Sequence, residues 1–497
     1  MRKHFLERSE NLELLLSNYM KENRNYSIPT NITQDEMYKL GEEYIESKTA
    51  NIKFLQMINT GIRGISELKI DAKLKLKSGR RIKQIELEIF SDESGHVIND
   101  TYQKISVYTT KEDYDAAKEE YKNLIEIDYL KDNNSNENLL EYMIYFNFFF
   151  TENWILNLCS FPNFESSTFE RMLLGANSKN DYELTLNFKM KHSNILLTFK
   201  CYQKVLNKYF DLRIEELITY FFSIYCKEQF YINWLPLDFS NKMEKVHIQT
   251  KNLFTLEEQI RKQWKLLSEE NEIEKELFGL ESTPTHSSLK SFLEKKYIYI
   301  NEKDEKIQII MNLLFSNQSH LNYITEELKG ENFEQLIINN KINKDSFHDF
   351  QQMNINFLIE NGIISVNNYG VIFTTKKQLD RIHIFSNIYY YGVIHYYHVN
   401  RKISTNKAVK CWQREIDEMI VEGLLICENT FFAKPEEDFL SYILNNSKFD
   451  NALGLRNKYS HGSVVEENQD DYLYILIILV VYTIKINEEL TIYNNYK

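Results

Sequence analysis

Gly454-Leu455-Arg456-Asn457-Lys458-Tyr459-Ser460-His461-Gly462 stands just before a strongly apolar segment, Tyr472 to Ile486. A short helix-forming run closed by glycine, followed by a stretch with almost no polar face, reads as the end of a helical bundle whose last helix is buried. Asp470, Asp471 and Lys485 bound the apolar part at about 13 residues, short of the roughly 20 needed to span a bilayer. The helix therefore belongs to a bundle or dimer core, and no membrane partner is expected.

Working outward, Asp380 to His398, Ser404 to Cys427, Pro435 to Ser447 and Asp450 to Tyr459 carry helical periodicity, so residues 376–497 read as one all-α bundle. Residues 305–375 read as a winged-helix-like unit. Its helices are expected over Lys306 to Phe315, Leu321 to Leu328 and Phe347 to Asn361, the last ended by Gly362, with a hairpin turning at Asn367-Asn368-Tyr369-Gly370. Such a shape serves DNA, RNA or protein docking equally well. Few positive charges fall on the candidate recognition segment Asp345 to Gln352, so docking or structure is the default role.

Residues 205–304 form a helical region, with helices over Leu212 to Trp234 and Thr255 to Phe278 and a linker-like stretch at Gly279 to Ser288. Residues 1–204 read as α+β. Helix is expected to about residue 55, then strand, turn and strand over Ile65 to Ile89 with the turn at Lys77-Ser78-Gly79-Arg80. Further helices are expected over Asp113 to Leu130 and Leu139 to Phe161, and a hairpin over Tyr182 to Tyr202. The fold class is thus mainly α and multidomain.

Composition narrows the function. A hydrophobic share of 43% with 14% aromatics, in 497 residues, describes packed domains rather than disorder. Only 14 Gly are present and no G-x-x-x-x-G-K or G-x-G-x-x-G occurs, which removes phosphate-loop and dinucleotide roles. A formal charge of -13 argues against a surface built for general nucleic-acid binding, although a local basic groove remains open. Five cysteines without a C-x-x-C pair read as reduced thiols of a cytoplasmic protein, and no secretory signal is expected at Met1-Arg2-Lys3-His4-Phe5.

Chemistry is concentrated in the opening run. Arg456 is always charged, Asn457 is a polar amide beside it, and His461 titrates near neutrality. RNA carries its own nucleophile in the 2′-hydroxyl, so cleavage needs a proton acceptor, a proton donor to the leaving 5′-oxygen and charge stabilisation at phosphorus. Imidazole supplies a proton step, and guanidinium grips two phosphate oxygens. The run resembles the motif of the HEPN family, an Arg, a polar residue and a His late in a small helical bundle. That resemblance covers roughly residues 376–497 and is motif-specific over 455–462. It implies a metal-independent endoribonuclease using Arg456, Asn457 and His461, without cofactor, acting on RNA as a defence or toxin effector. It further implies a homodimer through the C-terminal domain, with the Leu473 to Val481 stretch as part of the contact, and leaves room for a regulatory partner or activator. Residues five apart on a helix differ by about 140°, which also favours a site completed by a second chain.

Blander readings stand beside these. Arg456 and His461 also suit a helix-terminal cation and cap, with Gly462 as the residue that ends the helix. The alternative function is a non-catalytic dimerisation or assembly protein with a docking unit. His395 and His398 have the i, i+3 spacing of a metal face, but with no matching acidic motif they read as packing among tyrosines, and no metal is expected. Glu86 and Glu88, on one face of the expected strand, and the basic residues Lys73, Lys75, Lys77, Arg80, Arg81 and Lys83 read as a solvated sheet face.

Overall fold

The computed structural model describes residues 2–20, 25–90, 104–118, 121–144, 148–167, 178–399, 406–460 and 468–496, and the chain is mainly helical with small sheets. Near the amino terminus α1 (Gln34–Glu46), α2 (Ile52–Thr60) and α3 (Ala72–Phe90) pack around Leu40, Tyr44, Leu55, Met57 and Leu74. The strand, turn and strand expected over Ile65 to Ile89 is therefore a correction: most of it is one helix. Leu74, Ser78 and Ile82 are its buried positions, spaced by four, and that period outweighs the local alternation. Gly79 lies within the helix rather than in a turn. A Cβ there would stand 2.8 Å from Asn59 Oδ1, so glycine lets α2 and α3 approach closely. The expected basic sheet face dissolves with the strands. Lys73 and Lys77 bind Glu42 at 3.1 and 3.0 Å, and Arg81 lies 3.7 Å from Glu88. The side chain of Glu86, paired with Glu88 in the expected strand, lies outside the described residues.

In the next segment β1 (Ile105–Tyr108) and β2 (Tyr121–Leu124) pair in parallel, so the helix expected over Asp113 to Leu130 is broken by a strand. Of the aromatic helix expected over Leu139 to Phe161, only Asn136–Ile144 is helical among the described residues, and Phe149, Phe150, Ile155 and Leu156 fill the core from turns. The hairpin expected over Tyr182 to Tyr202 is corrected to α4 (Leu186–Phe210). Thr185 caps it, and Phe188, His192, Ile195, Phe199, Tyr202 and Leu206 form its buried stripe at alternating spacings of three and four.

The second half is organised by a small sheet. α5 (Val246–Glu270) leads to β3 (Tyr297–Ile300), after which the chain leaves for α6 (Glu305–Phe315), α7 (Phe333–Asn339), α8 (Asp349–Glu360), the hairpin β4 (Ser365–Val366) and β5 (Ile372–Phe373), and α9 (Lys376–Tyr391). It returns as β6 (Ile394–His395), makes α10 (Asn406–Val421), and returns again as β7 (Leu425–Glu428). Strand order is β6-β3-β7, both pairs antiparallel. The terminal quarter is therefore not purely helical, because β6 and β7 need β3 to satisfy their backbone groups. Helix does not form over Leu321 to Leu328. A short turn at His320–Asn322 stands there, and the second helix of this segment is α7.

α11 (Lys434–Leu444) and α12 (Leu455–Ser460) precede α13 (Gln469–Tyr496), which is buried nearly all round against α4, α5 and their neighbours. Leu473, Ile475, Leu476, Ile477, Ile478, Leu479, Val480 and Val481 are at most 2% exposed, so the Leu473 to Val481 stretch faces the chain's own core and is not open to a second copy. Among the described residues no helix is long and apolar enough to cross a membrane.

Candidate active site

α12 is held from one side. Leu455 and Tyr459, four apart, face inward. The Tyr459 ring packs on Phe254 at 5.6 Å, its hydroxyl donates to Asp471 Oδ2 at 2.9 Å, and Lys458 Nζ reaches the same oxygen at 2.5 Å. Arg456 and Asn457 consequently turn outward and are half-buried. Arg456 Nη2 pairs with Glu258 Oε1 of α5 at 2.5 Å, and Asn457 Nδ2 donates to Asn446 Oδ1 at 2.7 Å. His461 lies outside the described residues, as does Gly462.

Asn446 belongs to the loop between α11 and α12, and the amino-terminal helices clamp that loop. Arg63 binds Asp450 Oδ1 through Nε at 2.9 Å and donates to the Asn446 and Ser447 carbonyls. A contact nearly 400 residues away along the chain thus helps set where Asn457 rests.

Arg456 lines a polar cleft of about 300 Å³ together with Arg261, His286, Glu437, Asp438 and Lys448. Behind its wall lies the buried carboxylate Glu257. It accepts from Arg261 Nη2 at 2.8 Å and the Tyr482 hydroxyl at 3.0 Å, pairs with His286 Nε2 at 3.1 Å, and stands 2.6 Å from Arg261 Nε as an ion pair without a directed hydrogen bond. Burial opposes its charge, yet the Arg261 and His286 partners outweigh burial and hold Glu257 down at about 2. Burial pushes the His286 imidazole below its ordinary value. Glu257 pulls against that, and the Arg261 and Arg456 cations add to it, so the surroundings disfavour the charged ring.

On the opposite wall burial, reinforced by the neighbouring carboxylates of Asp438 and Glu428, raises Glu437 to about 7. Burial also raises Asp438, against the pull of its ion-pair partner Lys448. A carboxyl that is half-protonated near neutrality gives the cleft that Arg456 lines a proton donor. It also predicts a pH effect on stability. The folded value of Glu437 lies above the ordinary 4.5, so its contribution is fully present below about 4.5 and is lost as pH rises through about 7. Glu437→Gln is expected to flatten that decline, so a melting-temperature series should show the variant gaining on wild type between pH 5 and about 8. Parallel curves would contradict the assignment.

Of the three residues singled out from sequence, the structure places Arg456 at this cleft, while Asn457, next to it in α12, is turned to the Asn446 side chain and does not line the cleft. It adds His286, Glu437 and Lys448, which sequence reading missed. His286 sits in the stretch read as a linker; the only local signal was a histidine between Thr285 and Ser287 in a loop. The structure also brings Glu488 of α13 to His395 and His398, whose carboxylate partner had no local signature. No protein-family model, curated protein or solved structure matches this chain.

Proposed function

We propose that the chain is a HEPN-type endoribonuclease that cleaves RNA through Arg456, Asn457 and His461, with the 2′-hydroxyl as nucleophile and no catalytic metal, and that it serves as a defence or toxin effector. One observation carries this reading: Arg456 stands at a polar cleft, paired with the partly exposed carboxylate Glu258, where a phosphate can replace that carboxylate. Arg456 grips the scissile phosphate and stabilises charge as the phosphorane forms. His461 moves a proton at the 2′-hydroxyl or the 5′-oxygen, and Asn457 orients the phosphate. The products carry a 2′,3′-cyclic phosphate and a 5′-hydroxyl. Incubating the purified chain with a mixed RNA pool and mapping the ends tests this, and 5′-phosphate ends overturn it.

Glu258 acts in this reading as a placeholder for substrate. An ion pair this exposed is worth about 0.2–1 kcal/mol. Glu258→Gln is therefore expected to raise kcat/KM for RNA by about 1.5- to 5-fold, chiefly through KM. An unchanged or lower kcat/KM speaks against the placeholder role. The Arg63 clamp on the Asn446 loop gives the amino-terminal helices a means of restraining the site, and an activator would act by loosening it.

A second reading, a non-catalytic assembly protein, has two specific observations in its favour. Arg456 and Asn457 both hold intrachain partners of the kind a helix anchor needs, and α8 exposes Phe350 and Met353 on the segment expected to dock a partner. Both readings keep the homodimer as a proposal, through a surface other than Leu473 to Val481. RNA cleavage by the purified chain decides between them.

A further inference from the structure

Away from the Arg456 cleft, β6, the turn after it and the end of α13 bring together two imidazoles and a carboxylate. His395 Nε2 lies 3.0 Å and His398 Nε2 2.7 Å from Glu488 Oε1, and the three side chains are buried, with their donor atoms all within 4.8 Å of one another. Flanking rings fix the two imidazoles. Tyr297 meets His395 edge-on at 5.2 Å between centroids, and Trp154 stacks on His398 at 5.1 Å.

As a set of hydrogen bonds the arrangement is incomplete. The His395–Glu488 contact is short, yet His395 Nε2 makes no properly directed hydrogen bond, its Nδ1 is buried with no partner, and Glu488 Oε2 is buried with none among the described residues. Buried polar atoms in a folded protein are normally satisfied, so three such atoms in one cluster call for an explanation. Neighbouring cations do not provide it. Lys296 pairs with Glu489, and Lys485 pairs with Glu436 at 2.8 Å, so each lysine has its own carboxylate.

We propose that His395, His398 and Glu488 bind a divalent transition metal, zinc by preference. Two neutral imidazoles and one carboxylate form a donor set that zinc takes with bonds of about 2.0–2.2 Å, leaving a fourth position for water or another ligand. Tetrahedral ligands at that radius stand about 3.3 Å apart, so the two His–Glu488 contacts of 3.0 and 2.7 Å must open slightly and the donor atoms, which lie within 4.8 Å of one another, must gather around the ion. Its two ends come from β6 with the following turn and from the last helix, nearly 90 residues apart. The ion therefore ties the central sheet to α13 while keeping one position open, independent of the RNA-cleaving reading.

The test uses the full chain, made without a polyhistidine tag in zinc-supplemented medium and analysed by elemental mass spectrometry. About one zinc per chain is expected. Metal-depleted protein titrated with Co2+ should develop the visible absorption of a low-coordinate cobalt site, saturating at about one equivalent. His398→Gln and Glu488→Gln should each weaken metal binding about tenfold or more, while wild-type titration carries the result if a variant folds poorly. Less than about a tenth of an equivalent of zinc with no cobalt spectrum overturns the proposal. So does metal that both variants retain at wild-type affinity.

Discussion

Alanine at Arg456, and separately at His461, is expected to lower RNA cleavage by at least about a hundredfold, with His461→Ala reaching up to about ten-thousandfold. The two substitutions remove different things. In the proposed mechanism His461 supplies a proton transfer, worth about 10²–10⁴ when such a group is placed within reach of the reacting oxygen. Arg456, in the same proposal, supplies charge stabilisation that grows as the phosphorane forms, so its loss should fall on kcat more than on KM. Arg456→Lys keeps the charge but loses the planar fork, and should recover only a small part of the rate. Folding does not confuse the comparison at Arg456, because the Glu258 pair that the substitution removes is partly exposed and contributes at most about 1 kcal/mol. Wild-type rates in His461→Ala, or a loss explained entirely by unfolding, would sink the ribonuclease reading. Cleavage unchanged in both variants would place the chemistry at another site, and no cleavage by the wild-type chain would point to the assembly protein instead.

How much of this could be read before folding depends on whether a signal is local. The buried last helix was legible because Tyr472 to Ile486 has no polar face to present, and the hairpin β4–β5 because Asn367 and Gly370 mark its turn. The segments around α3 and α4 were misread for one reason. Over a few residues, apolar positions spaced by two also occur in amphipathic helices, and only the wider spacing of Leu74, Ser78 and Ile82, or of Phe188, His192, Ile195 and Phe199, separates the two. Arg456 was legible because its neighbours spell a motif. His286 and Glu437 were not, since a cleft wall built from a loop near residue 286 and a helix near residue 437 leaves no mark on either stretch. The Glu488 partner of His395 and His398 is hidden in the same way, by a separation that only the β6–β3 pairing and the placement of α13 close.

The second large effect is on stability, and it concerns the polar knot beneath the central sheet. Glu436→Ala is expected to destabilise the chain by about 3–5 kcal/mol, measured by denaturant unfolding. Glu436 is fully buried, with four partners within reach. Its Oε1 accepts from the Leu156 N–H at 2.9 Å, and its Oε2 accepts from the Ala433 N–H at 2.8 Å. Lys485 Nζ stands 2.8 Å from Oε2, and the Tyr297 hydroxyl donates to the same oxygen at 3.4 Å. Alanine leaves two backbone donors unpaired and the Lys485 ammonium without its carboxylate, held among the described residues only by the Tyr297 hydroxyl at 2.8 Å, and the cost comes from those groups rather than from the attraction itself. Glu436→Gln keeps two acceptor lone pairs and should cost less. Removing both charges together, in Glu436→Met with Lys485→Met, should recover much of the loss, because the pair's desolvation is removed along with its attraction. A Glu436→Ala variant within about 1 kcal/mol of wild type would show that the knot does not hold the core. The knot also reaches the candidate site: Glu436 anchors the first turn of α11, and the next two residues, Glu437 and Asp438, form the cleft wall opposite Arg456. Loosening that anchor should therefore lower RNA cleavage at temperatures well below the melting transition, whereas a knot serving only the core would leave the rate intact until the chain unfolds.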